Sequence, residues 1–143
     1  MNFLISYYVP LAVYLSGFAA WAYLLLRLVF GLVFIVHGWP KLKSLKTTHK
    51  NFEAMGFKPG SLWGTVVALV EFFGGLAVFL GLLTSLAASL LVINMIVATV
   101  WKLSRKQGFV GGYEFDLLLV IVGLTLATIG PSGYSLDLWL FAQ

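Results

Sequence analysis

The run Leu24–Lys41, LLLRLVFGLVFIVHGWPK, limits the possible folds more than any other stretch of the chain. It has the length and apolar character of a membrane-spanning helix. Yet Arg27 stands inside it, and His37 and Lys41 lie near its far end. A guanidinium at the centre of a bilayer costs about 2.5 kcal/mol or more. Arg27 must therefore face protein rather than lipid, and it needs a partner. The other strong charge embedded in an apolar run is Glu71. An Arg27–Glu71 ion pair in the core of a helical bundle is the expectation.

Composition extends this membrane reading to the whole chain. The 143 residues are 61% hydrophobic and only 10% charged, whereas soluble domains are about 45–50% apolar and about 25% charged. A soluble monomer would have too little polar surface to cover itself. There is no cysteine, which excludes thiolate chemistry, disulfide exchange and cysteine-ligated metal by this chain. The two histidines, His37 and His49, sit near a membrane edge and in a loop. No metal site and no bis-histidine haem is expected from them. Nucleic acid is an unsuitable partner, because the basic residues flank apolar segments with no aromatic–basic module around them. Neither a cleavable leader nor a lipidation motif is evident at the ends.

Taken in order, the chain reads as an all-α integral membrane four-helix bundle. Residues 1–18 form an apolar lead-in, either an N-terminal interfacial helix or an extension of the first span. Tyr7, Tyr8, Tyr14 and nearby Trp21 suit a membrane interface. The first span is expected at about 19–39, ending at Trp39-Pro40. Residues 40–60 carry five lysines against one glutamate, with Phe52, Met55 and Phe57 spaced for a short amphipathic surface helix. Further spans are expected at about 61–82, 86–103 and 113–130, with Gly130-Pro131-Ser132-Gly133 stopping the last. The membrane domain then covers residues 19–138, and 139–143 are a short tail.

The basic residues are unevenly distributed. The loops after the first and third spans hold Lys41, Lys43, Lys46, Lys50, Lys58, Lys102, Arg105 and Lys106, and the opposite side holds no lysine or arginine. Positive charge is retained on the cytoplasmic side of membranes, so these loops are expected to be cytoplasmic and both termini outside.

Helical spacing groups the polar residues. Arg27, Gly31, Phe34, Gly38 and Lys41 fall on one face of the first span. Gly64, Val67, Glu71, Gly75, Val78 and Leu82 share a face of the second. Counted from Trp39 and Ser61, Arg27 lies about 18 Å deep and Glu71 about 15 Å deep, close enough in level to pair. His37, Lys41, Lys102, Glu114 and Asp116 gather nearer the basic boundary, with Asn94 between the two levels. Of these, Arg27, His37, Lys41, Glu71, Asn94, Glu114 and Asp116 are the candidate intramembrane polar site, with the shape of a funnel from the basic side. Gly31, Gly38, Gly74, Gly75 and Gly81 are candidate packing positions, because small residues let helices approach closely in lipid. Each feature also has a plainer reading. A buried Arg–Glu pair can simply hold helix register, His37 can be solvated at the interface, and the lysines can serve as headgroup anchors.

The pattern Arg27…Gly31…His37-Gly38…Lys41, then Val70-Glu71-Phe72-Phe73-Gly74-Gly75…Gly81-Leu82-Leu83-Thr84, then Glu114 and Gly130-Pro131-Ser132-Gly133-Tyr134-Ser135-Leu136-Asp137, resembles the DoxX family of small four-helix membrane proteins. The likeness covers about residues 24–138 and rests on order and spacing rather than on one motif. It implies a prokaryotic cytoplasmic membrane protein associated with redox chemistry, because the family takes its name from a membrane subunit of a thiosulfate:quinone oxidoreductase. It carries over no catalytic residue.

Two functions follow as expectations. One is a quinone-interacting subunit of a membrane oxidoreductase. In it Arg27 or His37 donates to a quinone carbonyl, Glu71 or Glu114 relays protons, and electrons come from a protein partner. The other is a non-catalytic membrane anchor or assembly module in which Arg27 and Glu71 are structural. Membrane lipids and either a protein partner or a second copy of the chain are the expected associates.

Overall fold

The computed structural model describes residues 13–131 and 133–141. Among these, four helices are long and apolar enough to cross a membrane. Helix α1 is Ala19–Lys43 and is followed by the short α2, Leu45–Met55. Helix α3, Gly60–Leu80, carries a π-helical turn over Val70–Gly74. Helix α4 is Thr84–Ser104, α5 is Glu114–Ile129 and the terminal α6 is Leu136–Phe141. The lead-in expected over residues 1–18 lies largely outside the described residues. The part that is described has one helical turn at 13–16, interrupted at Gly17-Phe18 before α1 begins.

Large apolar side chains point outward along the spans. Val29, Leu32 and Val36 on α1, and Ile93, Val97 and Val100 on α4, are exposed. In a bilayer these surfaces face lipid. Inside, Phe30, Phe34, Val78, Leu91 and Leu126 form the centre of the core. The buried face of α1 is Arg27, Phe30, Gly31, Phe34 and Gly38, close to the face expected from spacing.

One boundary differs from expectation, with consequences for the site. Helix α1 does not stop at Pro40 but runs on to Lys43 and breaks at Ser44 (φ −129°, ψ 56°). A proline in a helix removes one backbone hydrogen bond, and so close to the end of α1 that loss does not stop three more residues from staying helical. Helix α2 then folds against the start of α3. A Cβ on Gly60 would strike the His49 carbonyl oxygen, and the His49 ring meets the Thr65 hydroxyl at 2.8 Å. The first turns of α3 thus pack beside α2, beyond the end of α1.

Helices α1 and α3 approach so closely that no side chain fits between them. A Cβ on Gly31 would lie 2.7 Å from the Gly75 carbonyl oxygen, one on Gly38 would lie 2.6 Å from the Phe72 nitrogen, and one on Gly75 would lie 2.8 Å from Phe34 Cβ. Gly74 faces Leu91 of α4, with contact at 3.3 Å. Gly81 does something else. It ends α3 in a left-handed conformation (φ +71°), and a Cβ there would lie 2.5 Å from an Arg27 guanidinium nitrogen and 2.7 Å from Ser135 Cβ.

Adding a single methyl at Gly31 or Gly38 drives it into backbone, which cannot move aside without separating the helices. Gly31→Ala and Gly38→Ala should each lower unfolding free energy in detergent by about 1–3 kcal/mol. Gly133→Ala, which meets nothing within 4 Å, should stay within about 0.5 kcal/mol of wild type. Denaturant titration followed by circular dichroism measures both.

Candidate functional site

The polar residues gather at the two ends of the bundle. At the lysine-rich end, Glu71 is 3% exposed. It sits in the π-helical turn of α3, whose extra residue re-aims the side chains around it. The Lys41 ammonium donates to Glu71 Oε1 at 2.6 Å and also contacts Oε2, and the Asn94 amide donates to Oε1 at 3.0 Å. The Lys41 backbone is held in turn, because the Thr48 hydroxyl donates to its carbonyl oxygen at 3.0 Å. Beside this cluster, Lys102 at the end of α4 donates to Asp116 Oδ1 at 2.9 Å and to the Gly112 carbonyl at 3.1 Å. Asp116 is 6% exposed.

The expected Arg27–Glu71 pair does not form. The α1–α3 seam sets Gly38 beside Glu71 and Phe72, and Arg27 beside Gly81. Ten residues of α3 separate the two levels, about 15 Å at 1.5 Å per residue. The depth count failed because Trp39 and Ser61 are not at one boundary: α1 continues past Trp39, and α3 starts beyond the end of α1. Lys41 is the cation that reaches Glu71.

Arg27 instead serves the opposite end. It is 2% exposed and donates through Nη2 to the Tyr134 carbonyl at 2.5 Å. Tyr23 donates to the Gly130 carbonyl at 2.6 Å, and the Trp21 and Tyr134 rings lie 5.0 Å apart. Asp137 completes this end. Its carboxylate accepts from the Leu83 and Thr84 backbone N–H groups at 2.6 and 2.9 Å and from the Thr84 hydroxyl at 2.8 Å, capping α4. Its own N–H donates to the Gly81 carbonyl at 2.8 Å. The segment from Tyr134 to α6 is thereby latched over the α3–α4 turn.

The remaining candidates fall into place as follows. His37 is exposed and lines a cavity with both ion pairs. Glu114 is exposed and accepts from the Gly111 N–H at 2.9 Å, a local cap at the start of α5 and outside the cluster. Sequence reasoning missed Asp137. The available signal was charge balance: of the five acidic residues, four lie toward the lysine-rich end, and Asp137 is the one left to answer Arg27. It also missed the clasp at Met55, whose carbonyl accepts from Trp101 Nε1 at 3.0 Å and from Arg105 at 3.3 Å.

Two cavities of about 310 Å³ each flank the Lys41–Glu71 pair. The first lies between α2, α3 and α4. Lys41, Glu71 and Asn94 form its polar floor, and Phe52, Phe57, Trp63 and Trp101 are among its walls. Trp63 and Val97, which also line it, are 45% and 46% exposed toward the lipid side. The second lies toward α5 and is lined by His37, Lys102 and Asp116 as well as by the pair itself. Among the described residues, no group of three His, Asp or Glu side chains is arranged to hold a metal ion.

Removing Lys41 alone would leave a buried carboxylate without its cation, so Lys41→Met should cost about 3–5 kcal/mol. In a double-mutant cycle with Glu71→Gln, Lys41→Met should show coupling of about 1–3 kcal/mol, while Arg27→Met with Glu71→Gln should add within about 0.5 kcal/mol. The Asp137 latch has its own signature. Burial alone would raise the carboxyl's pKa, but the Thr84 and Leu83 N–H groups, the Thr84 hydroxyl and nearby Arg27 outweigh it and hold the pKa below its ordinary value. A lowered folded pKa contributes stability that is complete above the unfolded value, about 3.9, and is lost as pH falls through the folded one. The melting-temperature gap between wild type and Asp137→Asn should therefore be constant above about pH 5 and close below about pH 4.

Comparison with known proteins agrees with this architecture. The DoxX family profile matches residues 22–103. A protein of Bacillus subtilis named "Putative oxidoreductase CatD" is 35% identical over 118 residues, covering 82% of this chain and 86% of its own. The Escherichia coli "Inner membrane protein YqjF" is 35% identical over 117 residues, covering 80% of this chain and 88% of its own. A Mycobacterium tuberculosis protein, "Uncharacterized membrane protein Rv3486", is 32% identical over 125 residues, covering 78% and 77%. No solved structure matches. With four apolar spans, a family match over more than half its length and relatives aligned over most of theirs, the chain is a multi-pass membrane protein of the DoxX family.

Proposed function

We propose that this protein binds a quinone in the cavity between α2, α3 and α4, as the membrane subunit of an oxidoreductase complex. The observation that carries this reading is the Lys41–Glu71–Asn94 cluster at the floor of an aromatic-walled cavity of about 310 Å³. A ligand with an apolar body and a polar carbonyl edge fits such a site. Lys41 has three N–H donors and gives two to Glu71, and Asn94 has two and gives one. One donor from each is left for a ligand oxygen. When reduced, a quinone takes up two electrons and two protons at its carbonyl oxygens. Glu71, beside both donors, is the group that would hold such a proton. Arg27 has no part in this site, because it is engaged at the other end. Electrons come from a partner protein of the complex, in keeping with the oxidoreductase name of the Bacillus relative.

In this reading the lysine-rich end lies in the cytoplasm of a prokaryotic cell and both termini lie outside. Eight basic residues at one end, in the last turns of α1 and α4 and in the segments that follow them, and none in the loops at the other, support that orientation.

The test is to extract and identify small molecules from protein purified gently out of its native membrane. Wild type should carry close to one quinone per chain. Asn94→Ala and Glu71→Gln, at matched folded yield, should retain about ten-fold less, the loss expected from removing one buried hydrogen-bonding group. Arg27→Lys should retain it. A wild type free of quinone would refute the reading and leave the Lys41–Glu71 pair as the register device of an anchoring subunit.

A further inference from the structure

The second cavity has no part in holding the ligand just described, yet it reaches the same carboxylate. It shares Lys41, Glu71 and Lys102 with the first cavity and adds His37 and Asp116. Its volume is about 310 Å³, far above the space one water needs. The groups facing it come from α1, α3, α4 and α5: His37 and Lys41, Glu71, Lys102, and Asp116. These five polar side chains stand among apolar ones such as Phe34, Phe115 and Leu119, and they give water beside them the polar partners that ordered buried water requires. His37 is exposed at the rim, and Lys102 keeps 28% of its side chain accessible. An apolar ligand would have to strip these charges of water to enter. The first cavity shares Lys41, Glu71 and Lys102 but lacks His37 and Asp116, and adds aromatic walls and the lipid-facing Trp63 and Val97.

We propose that the second cavity is a water-filled inlet from the lysine-rich end to Glu71, separate from the lipid-facing cavity. The Lys41–Glu71 pair is the wall between them. Water and protons reach the carboxylate from the α5 side, and an apolar ligand reaches it from the α2 side. The ligand half of this arrangement rests on the quinone reading; the water half does not. His37 and the Lys102–Asp116 pair are positioning groups that keep the inlet hydrated.

The chain has no cysteine, so single-cysteine variants report water directly. Leu119 lines the second cavity and is 7% exposed; Leu126, two turns further along α5, is 0% exposed and lines neither cavity. In membrane vesicles, a small charged thiol reagent added from the lysine-rich side should modify Leu119→Cys at least about ten-fold faster than Leu126→Cys, because a charged reagent travels only where water does and attacks the thiolate it meets there. Val97→Cys, at the lipid-facing mouth, should react with an apolar maleimide and not with the charged reagent. A short-chain quinone should protect Val97→Cys and leave Leu119→Cys reactive. Equal, slow labelling of Leu119→Cys and Leu126→Cys would overturn the inlet. Protection of both Leu119→Cys and Val97→Cys by quinone would overturn the separation of the two cavities. If quinone protects neither position while Leu119→Cys still reacts fast, the water inlet stands and the quinone reading falls.

Discussion

A carboxylate held at 3% exposure among membrane-spanning helices governs the rest of this structure. An unpaired charge there would cost several kcal/mol, so the surroundings of Glu71 must supply a cation and donors together. Lys41 comes from the extended end of α1, and Asn94 comes from the middle of α4. The π-helical turn of α3 carries Glu71 at the point where all three helices meet. Three of the four spans are thus tied at one level. The ends of α4 and α5 are tied beside it through Lys102 and Asp116.

The glycine seam makes that meeting possible. In lipid, apolar burial no longer drives helices together, and close backbone approach takes its place. Gly31, Gly38 and Gly75 bring α1 and α3 within contact of each other's backbones. The same seam fixes register. With Gly38 against Phe72, Lys41 falls within reach of Glu71; with Gly31 against Gly75, Arg27 falls at the α3–α4 turn. One packing surface therefore assigns the buried Arg27 and the half-buried Lys41 to opposite ends. At one end charge serves a cavity. At the other, Arg27 and Asp137 close the terminal segment over Gly81 and Thr84.

The cluster's position between two unlike cavities gives it chemical meaning. One face of the Lys41–Glu71 pair looks into aromatic walls and lipid, and the other looks toward charged groups and the exposed His37. In the proposed function, Glu71 stands where an apolar ligand approaches from one side and water from the other. Helix α2 adds to this by roofing the first cavity, clasped through the Met55 carbonyl by Trp101 and Arg105. Its amphipathic pattern at Phe52 and Met55 thus serves the protein interior.

The sequence by itself determined the class of fold, the four spans to within a few residues, the short helix after the first span, and the buried faces of α1 and α3. These follow from local properties: apolar length against bilayer thickness and the 3.6-residue period. It also marked Arg27 as a residue that could not face lipid, and Lys41, Glu71 and Asn94 as candidates for a polar site in the bundle. Which of them meet was decided only by tertiary structure. Pairing across helices depends on axial register, and register depends on where Gly31, Gly38 and Gly75 interlock and on how far α1 and α3 extend past the membrane edge. A shift of about ten residues along α3 exchanges Arg27 for Lys41 as the cation at its own level, and no local pattern in the chain records that offset. Asp137 stayed hidden for the same reason: its role exists only once the terminal segment folds back onto a turn more than fifty residues earlier.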